Sequence, residues 1–207
     1  MKALLVNGSP NANGCTFTAL SEIANTLAKE GIESEILQIG KKAVAGCIAC
    51  GKCRDTGKCI FDDSVNEVIS KIDSFCALVV GSPVYYGAPS GQVCAFLDRL
   101  FFVGRAKWHG KIGAGVVSCR RGGATAAFDR LNKYFLMNNM PVAPSCYWNQ
   151  IHGNTADEAR QDAEGLMTMR VLAQNIAWLA KSIENAKTNN ISLPTYEPRI
   201  FTNFIRQ

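Results

Sequence analysis

Four cysteines lie within thirteen residues of sequence, in the spacing C-x₂-C-x₂-C-x₅-C. Overlapping C-x₂-C runs are typical of iron–sulfur sites, in which four thiolates hold the cluster. Structural zinc more often uses two separate C-x₂-C pairs joined by a longer spacer. The spacing therefore favours an iron–sulfur cluster, with free or oxidised thiols and a zinc ion as the alternatives. The candidate ligands are Cys47, Cys50, Cys53 and Cys59.

A second candidate site is the polar loop that follows the first apolar run of the chain, Ala3 to Val6. The loop leads into a helical pattern, so its backbone N–H groups stand at a helix N-terminus, where unpaired donors and the helix dipole favour a phosphate. No Lys or Arg lies between Lys2 and Lys29, which leaves neutral donors alone to hold the anion. The candidate phosphate-binding residues are Ser9, Asn11, Asn13, Gly14, Cys15 and Thr16.

Known phosphate-binding patterns narrow the choice of ligand for this loop. A nucleoside-triphosphate loop reads G-x-x-x-x-G-K-[ST], whereas five residues separate Gly8 from Gly14 and Cys15 stands in place of the Lys. The dinucleotide pattern G-x-G-x-x-G does not follow any predicted strand. The phosphate of FMN fits the loop best, and a glycine-rich turn without a ligand is the alternative.

Two further loops follow predicted buried strands. Residues 81–91 place Tyr85 and Tyr86 between a proline and a glycine, and these adjacent aromatic side chains offer flat surfaces to a ring system. Residues 119–123 end with Gly122 and Gly123, which allow the backbone to approach a ligand closely. Ligands of open parallel sheets bind beyond the carboxyl ends of the strands. The three loops therefore predict a single binding site at that edge.

The elements that position these loops alternate between strand and helix. Strands are predicted at 3–6, 32–37, 75–80, 112–118 and 141–145. Helices are predicted at 17–29, 63–72, 90–101, 124–137 and 155–186, the last as one helix or two, with Thr155 and Glu158 as a capping box. This alternation predicts an α/β fold with a doubly wound, five-stranded parallel sheet and helices on both faces. Residues 1–186 are expected to form one domain, with 47–59 inserted after the second strand, and 187–207 a tail that docks on the body or on a partner subunit.

Composition excludes several classes of protein. The 207 residues are 47% hydrophobic and 19% charged, typical of a globular chain. The net charge of +5 is scattered, which gives no sign of nucleic-acid binding and weak support for an acidic redox partner. No apolar run is long enough to span a membrane, and the four apolar residues near the N-terminus do not make a signal peptide. We therefore expect a cytoplasmic protein. Four further cysteines lie in or beside apolar segments and are predicted to be core residues: Cys76, Cys94, Cys119 and Cys146.

The first two loops in combination resemble the flavodoxin-like NAD(P)H-dependent FMN reductase family. Its members read strand-G-S-P-x-x-x-G-x-T and then G-S-P-V-Y-Y/F-G, followed by a glycine-rich third loop; here the motifs are residues 8–16 and 81–87. The resemblance runs from Lys2 to about Lys181 and implies a sheet in the order 2-1-3-4-5. It also implies that the FMN phosphate lies in the first loop. Arg120 and Arg121 are not fixed features of the family's pattern: one is able to reach the flavin O2 or a nicotinamide phosphate, and a solvated surface charge is the alternative for the other. The residues implied around the isoalloxazine ring are Pro83, Val84, Tyr85, Tyr86, Gly87, Ser118, Arg120, Gly122 and Gly123.

The cysteine segment is similar to the compact cysteine motif of the iron–sulfur flavoprotein branch. That resemblance implies a [4Fe–4S] cluster on the four cysteines, close to an FMN across a dimer interface. It implies an FMN-dependent oxidoreductase. NAD(P)H or a reduced ferredoxin supplies the electrons, with hydride entering at the flavin N5, and a quinone-like or other small molecule accepts the electrons. No side chain is assigned as a catalytic acid or base. The expected assembly is a homodimer or homotetramer.

Three alternatives to this function stay open on the sequence. One is a flavodoxin-like electron carrier without enzymatic activity. Another is a plain NAD(P)H:FMN or quinone reductase whose cysteines are free and hold no cluster. The last is a cysteine-loop binding or sensor module on a sheet without a flavin.

Overall fold

Six strands and seven α-helices make up the structure, a computed structural model that describes residues 1–40, 42–198 and 200–202. The strands are β1 (Lys2–Asn7), β2 (Glu33–Gln38), β3 (Phe75–Tyr85), β4 (Ala88–Pro89), β5 (Ile112–Cys119) and β6 (Gln150–His152). The helices are α1 (Cys15–Lys29), α2 (Cys53–Thr56), α3 (Ser64–Lys71), α4 (Gly91–Gly104), α5 (Ala124–Met137), α6 (Ala156–Gln161) and α7 (Ala163–Thr188). Two short 3₁₀ helices, Ile72–Ser74 and Arg105–Trp108, follow α3 and α4.

Five of the strands run parallel in the order β2-β1-β3-β5-β6. The two-residue β4 lies off this path and pairs antiparallel with the end of β3. This extra strand is the reason why the order in chain numbering is 2-1-3-5-6, whereas the resemblance implied 2-1-3-4-5. The predicted α/β class, a parallel doubly wound sheet, is confirmed.

Each face of the sheet has its own hydrophobic core, because successive side chains of a strand point to opposite faces. Leu4 and Val6 of β1 pack on the side that holds α3, α4 and α5. Ala3 and Leu5 pack on the other side, against α1, α6 and α7. On the first side the ring of Phe135 lies directly over Gly113 of β5, where an added Cβ would come within 2.5 Å of it. Helices on both faces therefore cover the sheet.

The last strand of the parallel sheet, which the sequence predicts at 141–145, lies elsewhere in the structure. Of residues 141–145 only Val142 forms a bridge, to Gly113, and the regular strand β6 begins at Gln150. Between the two, the side-chain amide of Asn149 donates to the carbonyl of Gly115 at 3.0 Å and so replaces a bond of the ladder. Pro144, which has no N–H to donate, begins the segment that loops out. The edge of the sheet is thus built from two short pieces.

The C-terminal helical region divides into α6 and α7 at Asp162. Thr155 caps α6 by accepting a hydrogen bond from the N–H of Glu158 at 3.2 Å, and the Glu158 carboxylate accepts from the N–H of Asn154. After α7, the side chain of Leu193 packs on Gly110. Docking of the tail as a whole stays a prediction, and its last residues, 203–207, lie outside the described residues. In the part of the chain that the structure describes, no helix combines the length and the apolar character needed to cross a bilayer.

Candidate functional site

Three loops meet at the carboxyl edge of the sheet, and hydrogen bonds tie them together. The N–H of Gly8 donates to the carbonyl of Gly81 at 2.8 Å, and the Ser90 hydroxyl donates to the carbonyl of Gly8 at 2.7 Å, which joins the first loop to the second. The hydroxyls of Thr16 and Ser118 lie 2.8 Å apart and join the start of α1, after the first loop, to the end of β5, from which the third loop follows. The sheet therefore holds the predicted loops as one unit.

The first loop ends at a helix N-terminus that no side chain caps. Gly14 occupies the N-cap position of α1, and the first turn of the helix carries no acidic residue. Ser9 and Thr16 are buried here, and the Ser9 hydroxyl accepts a hydrogen bond from the N–H of Asn11 at 3.1 Å. Backbone donors at an uncapped helix start are what an anion such as a phosphate requires.

Cys15 contributes its backbone to this loop, while its thiol points elsewhere. The sulfur contacts the carbonyls of Gly153 and Thr155, at 3.4 and 3.2 Å, in the connection between β6 and α6. Burial raises the pKa of the Cys15 thiol, which keeps it protonated as a donor to those carbonyls. The thiol thus helps to pack α1 against the neighbouring connection.

Asn7 and Gln38, which the sequence analysis did not identify, hold the backbone of the first loop by hydrogen bonds. Asn7 is fully buried; its Oδ1 accepts from the N–H of Ser9 at 3.1 Å, and its Nδ2 donates to Gln38 Oε1 at 2.5 Å. The amide of Gln38 then donates to the carbonyl of Ser9 at 2.7 Å. Both are the last residues of their strands, a position from which a polar side chain can reach the loop beyond.

The second loop is a tight hairpin turn. Tyr85 pairs with Ala88, and the two residues between them, Tyr86 and Gly87, have φ of 51° and 74°. Positive φ at both central positions defines a type I′ turn. Tyr86 stands fully exposed at the tip and Tyr85 is also exposed. Their ring faces are open to a planar ligand or to a second molecule.

The third loop packs against the second through Gly123, whose φ is 85°. A Cβ at Gly123 would lie 3.0 Å from the Cα of Gly87 and from a methyl of Val84, so only glycine permits this approach. Arg120, Arg121 and Gly122 are exposed at the same edge. The structure thus brings together the sequence-predicted residues of all three loops. The arrangement fits a ligand with a phosphate at one end and a flat ring at the other.

The cysteine segment lies over α4. Cys47 and Cys50 are exposed, whereas Cys53 and Cys59 are half-buried, and all four line one cavity of about 380 Å³. Within the described residues no three His, Cys, Asp or Glu side chains are close enough to hold a single metal ion. A [4Fe–4S] cluster bonds one thiolate to each iron and so needs four sulfurs around a larger core. Four thiols on one cavity are a donor set that fits such a cluster.

The charges around this cavity are complementary to a cluster. Arg54, Arg99 and Arg105 line it with the four cysteines, and Asp98 is the carboxylate among the lining residues. Four thiolates on an iron–sulfur core leave the cluster with net negative charge, which cationic neighbours stabilise. Arg99, which the sequence analysis missed, is buried and donates from Nε to the sulfur of Cys59 at 3.1 Å. Its signal in the sequence is a charge inside the otherwise mostly apolar run of α4.

The remaining cysteines are distributed differently from the prediction. Cys119 is buried in the core, as expected, and Cys76 and Cys94 are partly buried beside it. Cys146 is exposed, contrary to the prediction, because it lies in the segment that loops out between Val142 and β6.

The sheet and its three edge loops define a flavodoxin-like α/β protein. The description "NADPH-dependent FMN reductase" belongs to the family model that matches residues 1–155. An iron–sulfur flavoprotein of Methanocaldococcus jannaschii is 31% identical over 194 residues, covering 89% of this chain and 100% of the relative. Another, from Methanosarcina thermophila, is 29% identical over 189 residues, covering 89% of this chain and 97% of the relative. The chain therefore belongs to the NADPH-dependent FMN reductase family, near its iron–sulfur flavoprotein branch.

Solved structures give the same fold. A flavodoxin from the domain Archaea superposes with a TM-score of 0.58 at 19% identity, covering 87% of this chain and 99% of that one. At this identity the likeness bears on the fold alone, and it agrees with the sheet described above.

Proposed function

We propose that this protein is an FMN-dependent oxidoreductase that also carries a [4Fe–4S] cluster on Cys47, Cys50, Cys53 and Cys59. The observation that carries the proposal is the presence of two sites in one chain: three loops tied together at the carboxyl edge, and four thiols lining one cavity. Membership of an FMN reductase family and similarity to iron–sulfur flavoproteins support it.

The residues of this chain would bind and orient the flavin. Backbone N–H groups of Asn13, Gly14 and Cys15 at the start of α1, with the polar side chains of Ser9, Asn11 and Thr16, would hold the phosphate. The segment from Pro83 to Gly87 would face the ring, with Ser118 and the residues from Arg120 to Gly123 on the adjacent loop. FMN supplies hydride and single-electron chemistry when bound. No acid or base from the protein is required, so the protein's part is to bind, orient and shield.

Electron donor and acceptor belong to the proposal as classes. NAD(P)H or a reduced ferredoxin would deliver electrons, and a quinone-like or other small molecule would receive them in the cytoplasm. Tyr85 and Tyr86 are exposed on a single chain, so a flavin ring that lies against them would be left uncovered. We therefore propose that a second subunit completes the site, in a homodimer or homotetramer.

A plain FMN reductase with free cysteines is the second candidate. One observation favours it: Cys47 and Cys50 are exposed, and an exposed thiol can stay free without a metal. The two candidates differ in one measurable property, the iron content of the protein.

The test is purification without oxygen, followed by an absorption spectrum and analysis of flavin, iron and sulfide. Flavin bands with about four irons and four sulfides per chain support the proposal. Cys53→Ser is expected to lose the iron and keep the FMN, whereas the matched control Cys76→Ser, at a half-buried cysteine outside the cavity, keeps both. Flavin without iron, even after reconstitution, overturns the cluster and leaves the plain reductase. A protein that takes up no FMN overturns both.

A further inference from the structure

A buried arginine lies directly beneath the cysteine segment. Arg99 projects from α4 into the cavity that the four cysteines line, and its side chain is 1% exposed. Burying a guanidinium is unfavourable unless its N–H donors find partners. The partners of Arg99 therefore show what the residue is for.

Three of those partners lie at the two ends of the cysteine segment. Nη1 donates to the carbonyl of Ala45 at 3.2 Å, two residues before the first cysteine. Nη2 donates to the carbonyl of Phe61 at 3.3 Å, two residues after the last. Both nitrogens also donate to the carboxylate of Asp63, at 2.7 and 2.9 Å, and the guanidinium carbon stands 4.9 Å from the centre of the Phe61 ring. A single planar group thus ties together the stems of the loop.

The remaining donor is aimed at a sulfur. Nε lies 3.1 Å from the Sγ of Cys59 and donates to it. A hydrogen bond to a coordinating sulfur favours the more negative, reduced state of an iron–sulfur cluster and raises its reduction potential.

We propose that Arg99 is the positioning residue of the cysteine loop: it fastens the two stems to α4 and holds the Cys59 sulfur by a hydrogen bond that tunes the cluster. The inference rests on the proposed function, because the tuning requires a cluster; the fastening of the stems does not. Sequence spacing alone assigns no residue outside the four cysteines to this site.

Arginine suits this position for a geometric reason. Its planar fork presents donors in fixed directions, so it can reach two stems, a carboxylate and a sulfur at once. Lysine keeps the positive charge, but its ammonium is a single point on a flexible stem and cannot serve partners on several sides. Arg99→Lys therefore separates the geometry from the charge.

The experiment compares Arg99→Lys with the wild-type holoprotein, both purified without oxygen. We expect a lower midpoint potential of the cluster and loss of iron to a chelator that is about 10-fold faster, the size of effect usual when a residue that hydrogen-bonds to a metal ligand is replaced. FMN content should be unchanged, because the flavin loops lie at the carboxyl edge of the sheet. The matched control is Arg130→Lys, an arginine of α5 that stacks on Tyr134 outside the cavity; it should keep the wild-type potential and iron.

Asp63→Asn distinguishes the two roles of Arg99. It weakens the stem bonds while the Nε–H remains available to Cys59, so it should speed amide hydrogen exchange across residues 45–63 and leave the potential near that of the wild type. The same exchange measurement on iron-free, FMN-loaded protein tests, in the absence of a cluster, whether Arg99 fastens the two stems. Arg99→Lys should then exchange faster than the wild type across the same residues.

Each outcome decides a different point. If Arg99→Lys keeps the midpoint potential of the wild type and loses iron at the wild-type rate, the tuning is overturned. Unchanged exchange in both iron-free variants overturns the fastening. A wild-type protein that takes up no iron overturns the proposed cluster, and the tuning with it, while the exchange experiment still decides the fastening. If Arg99→Lys does not fold, Asp63→Asn still tests both roles. Wild-type exchange across residues 45–63 in that variant overturns the fastening. A cluster potential far below that of the wild type contradicts the Nε–sulfur bond as the source of the tuning.

Discussion

Replacing Asn7 with alanine should weaken FMN binding although the residue lies below the flavin loops. The side chain makes two short hydrogen bonds, to Ser9 N–H at 3.1 Å and to Gln38 Oε1 at 2.5 Å. The contacts of its Nδ2 with the carbonyls of Asn11 and Ala12, both 3.5 Å, are too long to add much. At about 1 kcal/mol for each short bond, the loss is about 2 kcal/mol.

This energy bears on binding because the bonds hold the first loop in shape. If ordering that loop is left to the ligand, a loss of about 2 kcal/mol raises the FMN dissociation constant about thirtyfold. The assay is a fluorescence titration of FMN-free protein with FMN, with the quenching of the flavin as the signal. Asn149→Ala is the matched control, since Asn149 is also buried and its amide also bonds to the backbone, at the edge strand instead of the loop. It should lower the stability of the fold and leave FMN affinity unchanged. Equal FMN affinity in the two variants would refute the role assigned to Asn7.

Three further predictions concern stability and are checked by chemical denaturation. Gly113→Ala should lower the free energy of unfolding by about 1–3 kcal/mol, because the new methyl group meets the ring of Phe135; an unchanged midpoint would contradict the close packing. Thr155→Ala should cost about 1 kcal/mol through the lost cap of α6; no loss would show that the cap is not needed. The hydrogen bond from Lys2 holds the pKa of the Glu35 carboxyl below its usual 4.5. The free energy of unfolding of the wild type should therefore exceed that of Glu35→Gln by its full amount above pH 4.5, and this difference should shrink as the pH falls toward the lowered pKa. A difference that does not change with pH would argue against the ion pair.

Elements of strong periodicity could be predicted from sequence with good bounds. Helix α5 spans Ala124–Met137, the predicted residues, because its apolar side chains recur at helical spacing over four turns. Strand β5 follows a continuous apolar run and differs from its prediction by one residue. The three loops at the carboxyl edge of the sheet could also be located from the sequence, because their residue types are set by local backbone needs such as the turn at Tyr86 and Gly87.

What sequence missed depends on contacts between distant segments. The edge strand was placed at 141–145, whereas β6 is three residues long and follows a side-chain bond from Asn149, which no local pattern signals. Asn7 and Gln38 meet across 31 positions of sequence, and Arg99 meets Cys59 across 40. Such pairs are visible only when the fold brings them together.

The edge strand that is divided into two pieces, at Val142 and β6, affects how the protein behaves at high concentration. An open sheet exposes unpaired backbone groups at its outer strands, and a long, flat outer strand is a template for aggregation. Here one outer strand, β6, is three residues long and follows a looped-out segment that begins at Pro144. The other, β2, carries two carboxylates, at Glu33 and Glu35. Neither border offers a neighbouring molecule a long uncharged ladder, which favours a chain that stays dispersed while it folds.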